Sequence, residues 1–193
     1  MNPPKINLTQ AALVLIDLQQ GIVGMELAPH TGSQVVAQCA KLADCFRQAK
    51  SPVVLVHVNF SQDGADALKA ETDIKPNFKF SGNWAEFVPE IGPRENDLII
   101  TKRQWGAFHG TELDLQLRRR GIRQIVLGGI ATNFGVESTA RAGHEHGYQM
   151  ILAEDAMASL SPEYHDFAVQ KILPLLGLVR STEEIFAGCA AAQ

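Results

Sequence analysis

Two charged residues of opposite sign stand at the ends of apolar runs, and a glycine-rich turn ends a third. Asp17 closes AALVLID, Ala11 to Asp17, and Lys102 follows DLIIT, Asp97 to Thr101. A carboxylate placed there can cap a loop or transfer a proton, and an ammonium delivered to the same edge makes a candidate ion pair in one crevice. The third run, Gln124 to Ala142 (QIVLGGIATNFGVESTARA), passes from Ile125, Val126 and Leu127 through Gly128 and Gly129 into a helix. Glycine lets the backbone leave the strand sharply, and Thr132 or Asn133 can cap the helix, whose Val136, Thr139, Ala140 and Gly143 recur at helical spacing. The start of such a helix offers unpaired N–H groups and the positive end of its dipole, which suits an anion or an oxyanion.

Other reactive side chains lack partners in the sequence. His57 and Asn59 alternate to one face and could form half a metal site, but no third ligand stands at a plausible position. His144 and His146 are two apart on a helix and do not face each other, so no metal is expected. Cys39, Cys45 and Cys189 have no metal spacing and cannot all pair, which fits a reducing, cytoplasmic compartment, and Cys39 and Cys45 read as packing residues. The net charge of −4 is mild and spread out, and the basic run Arg118 to Arg120 sits at a helix end where cations suit the dipole. Neither a nucleic-acid partner nor a membrane is expected, since no run approaches the roughly 20 apolar residues of a span.

The elements that must position these residues alternate along the chain. The 193 residues, 46% hydrophobic, read as one domain, 1–193. Strands are expected over Ala11–Asp17, Pro52–Asn59, Asp97–Thr101, the run from Gln124, Tyr148–Ala153 and Leu178–Arg180. Between them, Ser33 is the expected cap of a helix through about Gln48, and Thr111, with Asp114 in a capping box, that of a helix ended by Gly121. Ser161 caps a helix starting at Pro162, and Thr182 begins a closing helix with Glu183 and Glu184 in its first turn. Residues 60–94 break all periodicity, and Phe78, Phe80, Trp84 and Phe87 there could line a pocket or a subunit interface. The fold class is α/β: a three-layer α/β/α sandwich around a mostly parallel, Rossmann-like sheet of six strands, with the crevice at the strand C-termini.

ALVLIDLQQGI, TKRQWGAFHGTEL and GGIATNFGVESTARAG resemble, in order and spacing, the three signature regions of the isochorismatase-like, or cysteine hydrolase, superfamily. The similarity covers nearly the whole chain and is closest to small bacterial members. It implies a catalytic Asp, Lys and Cys at Asp17, Lys102 and position 135, but position 135 is Gly. Thioester chemistry through sulfur is therefore not expected. The resemblance further implies a non-proline cis peptide at Ile130–Ala131, with the amides of Ala131 and Gly135 as donors to the ligand.

The residues expected to contact a small-molecule substrate are Gln19, Trp105, Phe108, Ile130, Ala131, Thr132 and Phe134. No cofactor is implied, and the family's habit implies a homo-oligomer, dimer or tetramer. The expected function is hydrolysis of a small metabolite, at an enol ether or a C–N bond, by non-covalent acid–base chemistry at Asp17, with Lys102 orienting it. The alternative is an inactive member that binds a metabolite or acts through assembly. Enol ether cleavage needs a proton donor, so desolvation by Trp105, Phe108 and the loop walls must oppose Lys102; if Lys102 prevails, Asp17 is the better base for water.

Overall fold

The computed structural model describes residues 4–74 and 81–190. Phe78 and Phe80 lie outside the described residues. The chain runs β1 (Ala11–Ile16), α1 (Gln20–Val23), α2 (Gly32–Gln48), β2 (Val53–Val58), β3 (Leu98–Lys102), α3 (Leu113–Arg119), β4 (Gln124–Ile130) and α4 (Glu137–Glu145). It continues through β5 (Gln149–Ala158), α5 (Pro162–Phe167), α6 (Leu173–Leu176), β6 (Gly177–Arg180) and α7 (Thr182–Ala190). Single π-helical turns lead into two of the helices: Thr132–Val136 opens α4, and Ala168–Ile172 joins α5 to α6.

The six strands are ordered β3-β2-β1-β4-β5-β6, and every ladder is parallel, where the sequence suggested mostly parallel. Continuous apolar runs explain this, because β1 is buried along its whole length and can only lie between two helical layers. Leu13, Leu15, Val126 and Ile151 face a core shared with α2 and α7. Val14, Ile16, Leu127 and Leu152 face a second core built with Leu113, Leu117, Val136, Ala140 and Leu173. Alternation along each strand thus fills two apolar layers from one sheet.

The order reverses direction between β1 and β4. Connections leave these neighbours toward opposite edges, so their C-terminal ends diverge and leave a crevice between them. Ile16 pairs with Gly129 at its foot. Gly129 has φ +119°, and a Cβ there would lie 2.2 Å from the Ile16 carbonyl oxygen, so only glycine lets the two backbones approach at this level.

Several boundaries differ from expectation. Thr31, not Ser33, caps α2, because its hydroxyl and the Gln34 side chain close a reciprocal capping box. At α3, Thr111 Oγ1 accepts from the Leu113 amide, but Asp114 closes no box; it accepts from the Tyr148 hydroxyl and Arg118 instead. Strand β5 runs on to Ala158, past Glu154 and Asp155, and Asp155 is taken up by the amide and hydroxyl of Thr182 at the start of α7. Ser161 caps α5 as expected, and Gly121 ends the α3 turn with φ +67°.

Candidate active site

Asp17 is the first residue beyond β1. Its backbone has φ +53°, a left-handed conformation that costs an L-residue about 1 kcal/mol and that aspartate adopts more readily than most. The Asp17 amide donates to Val56 O at 2.9 Å, which holds this turn against β2. Lys102, the last residue of β3, reaches across to donate to Asp17 Oδ2 at 2.7 Å and to the Gln104 carbonyl at 3.2 Å. Both side chains are buried. Asp17 Oδ1 is also buried and has no hydrogen-bond partner among the described residues. Burial raises the Asp17 carboxyl to about 6, against the downward pull of the Lys102 charge and hydrogen bond.

Gly135 closes this corner. A Cβ built on it would stand 3.3 Å from Asp17 Oδ2, 3.4 Å from the Trp105 carbonyl and 2.9 Å from Ile16 Cγ2. The expected trio therefore does meet, but the Ile16 methyl already crowds the space that a side chain at position 135 would need. Thr139, fully buried one helical turn later, donates to Gly135 O at 2.7 Å and accepts from the Ala107 amide at 3.1 Å. This hydroxyl fixes the Gly135 turn to the loop after β3. The sequence showed Thr139 only as part of a helical face.

The peptide Ile130–Ala131 is cis, as the resemblance implied. Neither Thr132 nor Asn133 caps the following turn. Ala131 occupies the cap position without a side-chain bond, while Thr132 Oγ1 pairs with His165 Nδ1 at 2.9 Å and Asn133 Oδ1 accepts from Ser159 Oγ. These two tethers tie the start of the β4 turn to β5 and α5. His165 lies 33 residues from its partner and gave no signal in the sequence.

The residues expected at the substrate are placed unequally. Ile130 and Thr132 are buried and Ala131 is half-buried at the end of β4, one step beyond the Ile16–Gly129 register pair. Trp105, 57% exposed, meets the edge of Phe134 with ring centroids 4.9 Å apart, so this pair stands at the rim. Phe108 does not line the crevice: it is 7% exposed and packs in the core on Tyr148 and His146, so it cannot shield Asp17 as expected. The Gln19 amide is spent on main chain. It donates to Val58 O at 2.9 Å and Ala85 O at 3.1 Å and accepts from Val58 N at 2.9 Å, which makes Gln19 a support for the floor.

His57 is likewise engaged in structure, with Nε2 2.7 Å from Thr101 Oγ1 and its ring stacked on Phe87. Cys39 is buried on α2, where burial pushes its thiol far above the ordinary range and its Sγ donates to Ala156 O. It is no nucleophile for this crevice.

An all-parallel α/β/α sheet with an acid–ammonium pair at the C-terminal ends of its strands is of the doubly wound class. The chain belongs to the isochorismatase family: the isochorismatase domain matches residues 11–184. It is 52% identical over 188 residues to the isochorismatase family protein YwoC of Bacillus subtilis, covering 95% of this chain and 96% of that one. It is 48% identical over 182 residues to YecD of Escherichia coli O157:H7, covering 94% and 97%. An isochorismatase family protein of Burkholderia thailandensis, 46% identical, superposes with a TM-score of 0.93 over 98% of this chain and 100% of that one. The ureidoacrylate amidohydrolase RutB of Acinetobacter baylyi is 34% identical over 128 residues, 65% of this chain and 52% of that one. The protein is accordingly an isochorismatase-family hydrolase related to amidohydrolases. Among the described residues no helix is long and apolar enough to cross a membrane.

Proposed function

We propose that the chain hydrolyses an enol ether of a small metabolite, with Asp17 as the proton donor and Lys102 as the group that orients it. The observation that carries this reading is the buried carboxyl of Asp17, raised to about 6 with Oδ1 unpaired and Oδ2 held by Lys102. Burial outweighs the ammonium, so the carboxyl keeps its proton to a higher pH than a free aspartate does. The notable point is direction: the shift is the one an acid requires.

In such a reaction the proton passes from Asp17 to the terminal carbon of the enol double bond. Water then adds to the oxocarbenium carbon, and the hemiketal collapses to an alcohol and a carbonyl compound. No step needs a side chain at Gly135. The amides at the cis turn and the start of the α4 helical segment would hold a substrate carboxylate. Cleavage of a C–N bond is the second reading, favoured by the kinship to RutB; there Asp17 would be the base that activates water.

Product analysis of the wild type and Asp17→Asn with isochorismate and a panel of small amides tests both. Turnover should fall about a thousandfold in the variant, within the range of a lost acid–base group. On an enol ether, the rate should decline as pH rises through about 6; on an amide, it should climb through the same range. Full activity in Asp17→Asn overturns the proposal. No turnover by either protein, with a ligand bound and recovered unchanged, turns the reading to a metabolite-binding member.

A further inference from the structure

Two of the cysteines, far apart in the chain, meet in the fold. Cys45 stands in the last turn of α2 and Cys189 in the last turn of α7, with most of the chain between them. Both side chains pack in the core that these helices share, and the Cys189 thiol donates a hydrogen bond to the Cys45 sulfur. Cys39 is set apart from them. Six positions before Cys45 it lies on another face of α2, where its thiol donates to the Ala156 carbonyl. Packing alone asks for small apolar side chains at such positions. Two free thiols in contact add a chemistry that alanine or valine would not.

The two thiols differ in access. Cys45 is half-buried, whereas Cys189 is 4% exposed. Burial, and then Cys45 beside it, push the Cys189 thiol up to about 12. A solute oxidant therefore reaches Cys45 first, and Cys189 stands behind it as the resolving thiol. Bonded sulfurs lie about 2 Å apart, nearer than a hydrogen bond brings them, so one helix end must shift slightly. The start of α7 is tied by the bonds of Thr182 to Asp155 and Gln38, which leaves its last turn as the end that yields. Gly188 in that turn lies flush on the N-terminal segment, where a Cβ would stand 2.1 Å from the Pro4 carbonyl oxygen. Fixing the last turn of α7 therefore also pins the segment that leads into β1.

We propose that Cys45 and Cys189 form a reversible disulfide, made by exchange with a small-molecule disulfide, that fastens α7 to α2. The Cys45 thiolate attacks one sulfur of the oxidant, whose S–S bond breaks; a mixed disulfide forms on Cys45 and one thiolate leaves. Cys189 then gives up its proton, and its sulfur attacks Cys45 Sγ and expels the second thiolate. The two protons lost by the protein end on the two small thiols released, so two protein thiols are oxidised and one small disulfide is reduced. A reducing thiol pool holds the pair open, and oxidation of that pool closes it. The proposal is independent of which bond the crevice cleaves.

Mass spectrometry of the 193-residue chain tests it, after treatment with oxidised glutathione, alkylation under denaturing conditions and digestion without reductant. Wild type should yield a peptide linked through Cys45 and Cys189 within one chain, two hydrogens lighter than the reduced form, with Cys39 alkylated. Its Tm should rise by about 5 to 10 °C and fall back with dithiothreitol, because a bridge that closes a long loop restricts the unfolded chain most. Cys189→Ala should stop at the mixed disulfide, carrying one glutathione on Cys45 and gaining no stability. The wild-type peptide map stands without that variant. Wild type with Cys45 and Cys189 both alkylated, a link through Cys39 or between two chains, or a bridged form that melts no higher than the reduced one would each overturn the proposal.

Discussion

At the C-terminal end of the sheet Asp17 meets Lys102; at the N-terminal end, where β2 and β3 begin, Asp97 meets Arg47. Both pairs join the same two charges in largely buried surroundings, at 2.7 and 2.6 Å. They differ in how the carboxylate is used. Both Asp97 oxygens accept, Oδ1 from Arg47 Nε at 3.2 Å and Oδ2 from Arg47 Nη2 and from the Arg94 amide. Among the described residues Asp17 has one oxygen with a partner and one without. The planar guanidinium matches a carboxylate fork to fork, while an ammonium engages a single oxygen and leaves the other available.

A cavity of about 640 Å³ opens beside the Arg47 pair, lined also by Lys50, Arg94 and Arg120. Its size does not make it the reactive end. Helices α2 and α3 both finish there, and cations at helix C-termini answer the negative dipole, as Arg120 does by donating to the Gln116 carbonyl. The saturated pair reads as architecture and the half-saturated one as chemistry.

Four substitutions would sharpen or break that contrast. Asp17→Asn should abolish turnover by about three orders of magnitude, whereas Asp97→Asn should leave kcat within about twofold; equal losses in both would erase the distinction. Lys102→Met should cost about 2 to 3 kcal/mol at pH 8, because the buried carboxylate loses its counter-charge and can escape only by taking up a proton. The sign of the pH dependence follows from the Asp17 shift. Removing the ammonium lifts a carboxyl already raised to about 6, so the penalty is complete above that higher value and fades as pH falls through it. Urea melts at pH 8 and pH 5 should therefore show a smaller deficit at the lower pH.

Asp97→Asn should lower stability by about 2 kcal/mol through its charged hydrogen bonds, measured by the same melts, without the pH dependence centred on Asp17. The smallest effect is expected from Gly135→Ala. Its methyl must displace Ile16 Cγ2 from 2.9 Å, a strain of about 1 to 2 kcal/mol partly offset by alanine's better helix propensity. A Gly135→Ala protein more stable than wild type would show that Ile16 yields freely.

Legibility in the sequence followed the range of each interaction. The β1 and β4 runs and the end that carries Asp17 were readable because a buried parallel strand writes a continuous apolar run and stops where polarity begins, whereas β3, half-exposed at the sheet edge, showed only the short run before Lys102. The Ser161 cap was equally local. What failed depended on partners far along the chain. Thr132 looked like a cap and proved to be held by His165; Phe108 looked like a pocket wall and proved to be held by Tyr148. Asp114 matched a capping box by spacing, yet the Tyr148 hydroxyl, 34 residues away, competes for its carboxylate. Local chemistry proposes several partners for a polar side chain, and tertiary packing chooses among them.

Gln19 has one more consequence. Its amide pins Val58 and Ala85 to the same point, and the neighbouring residues pair Gly21 with Trp84 and Leu18 with Val88. The excursion that leaves after Phe60 and returns at Trp84 is thus stapled shut at its neck. Like a cartridge in a fixed socket, it could be exchanged for one of another length at about 0.6 kcal/mol per doubling, with Asp17 and Lys102 left in register.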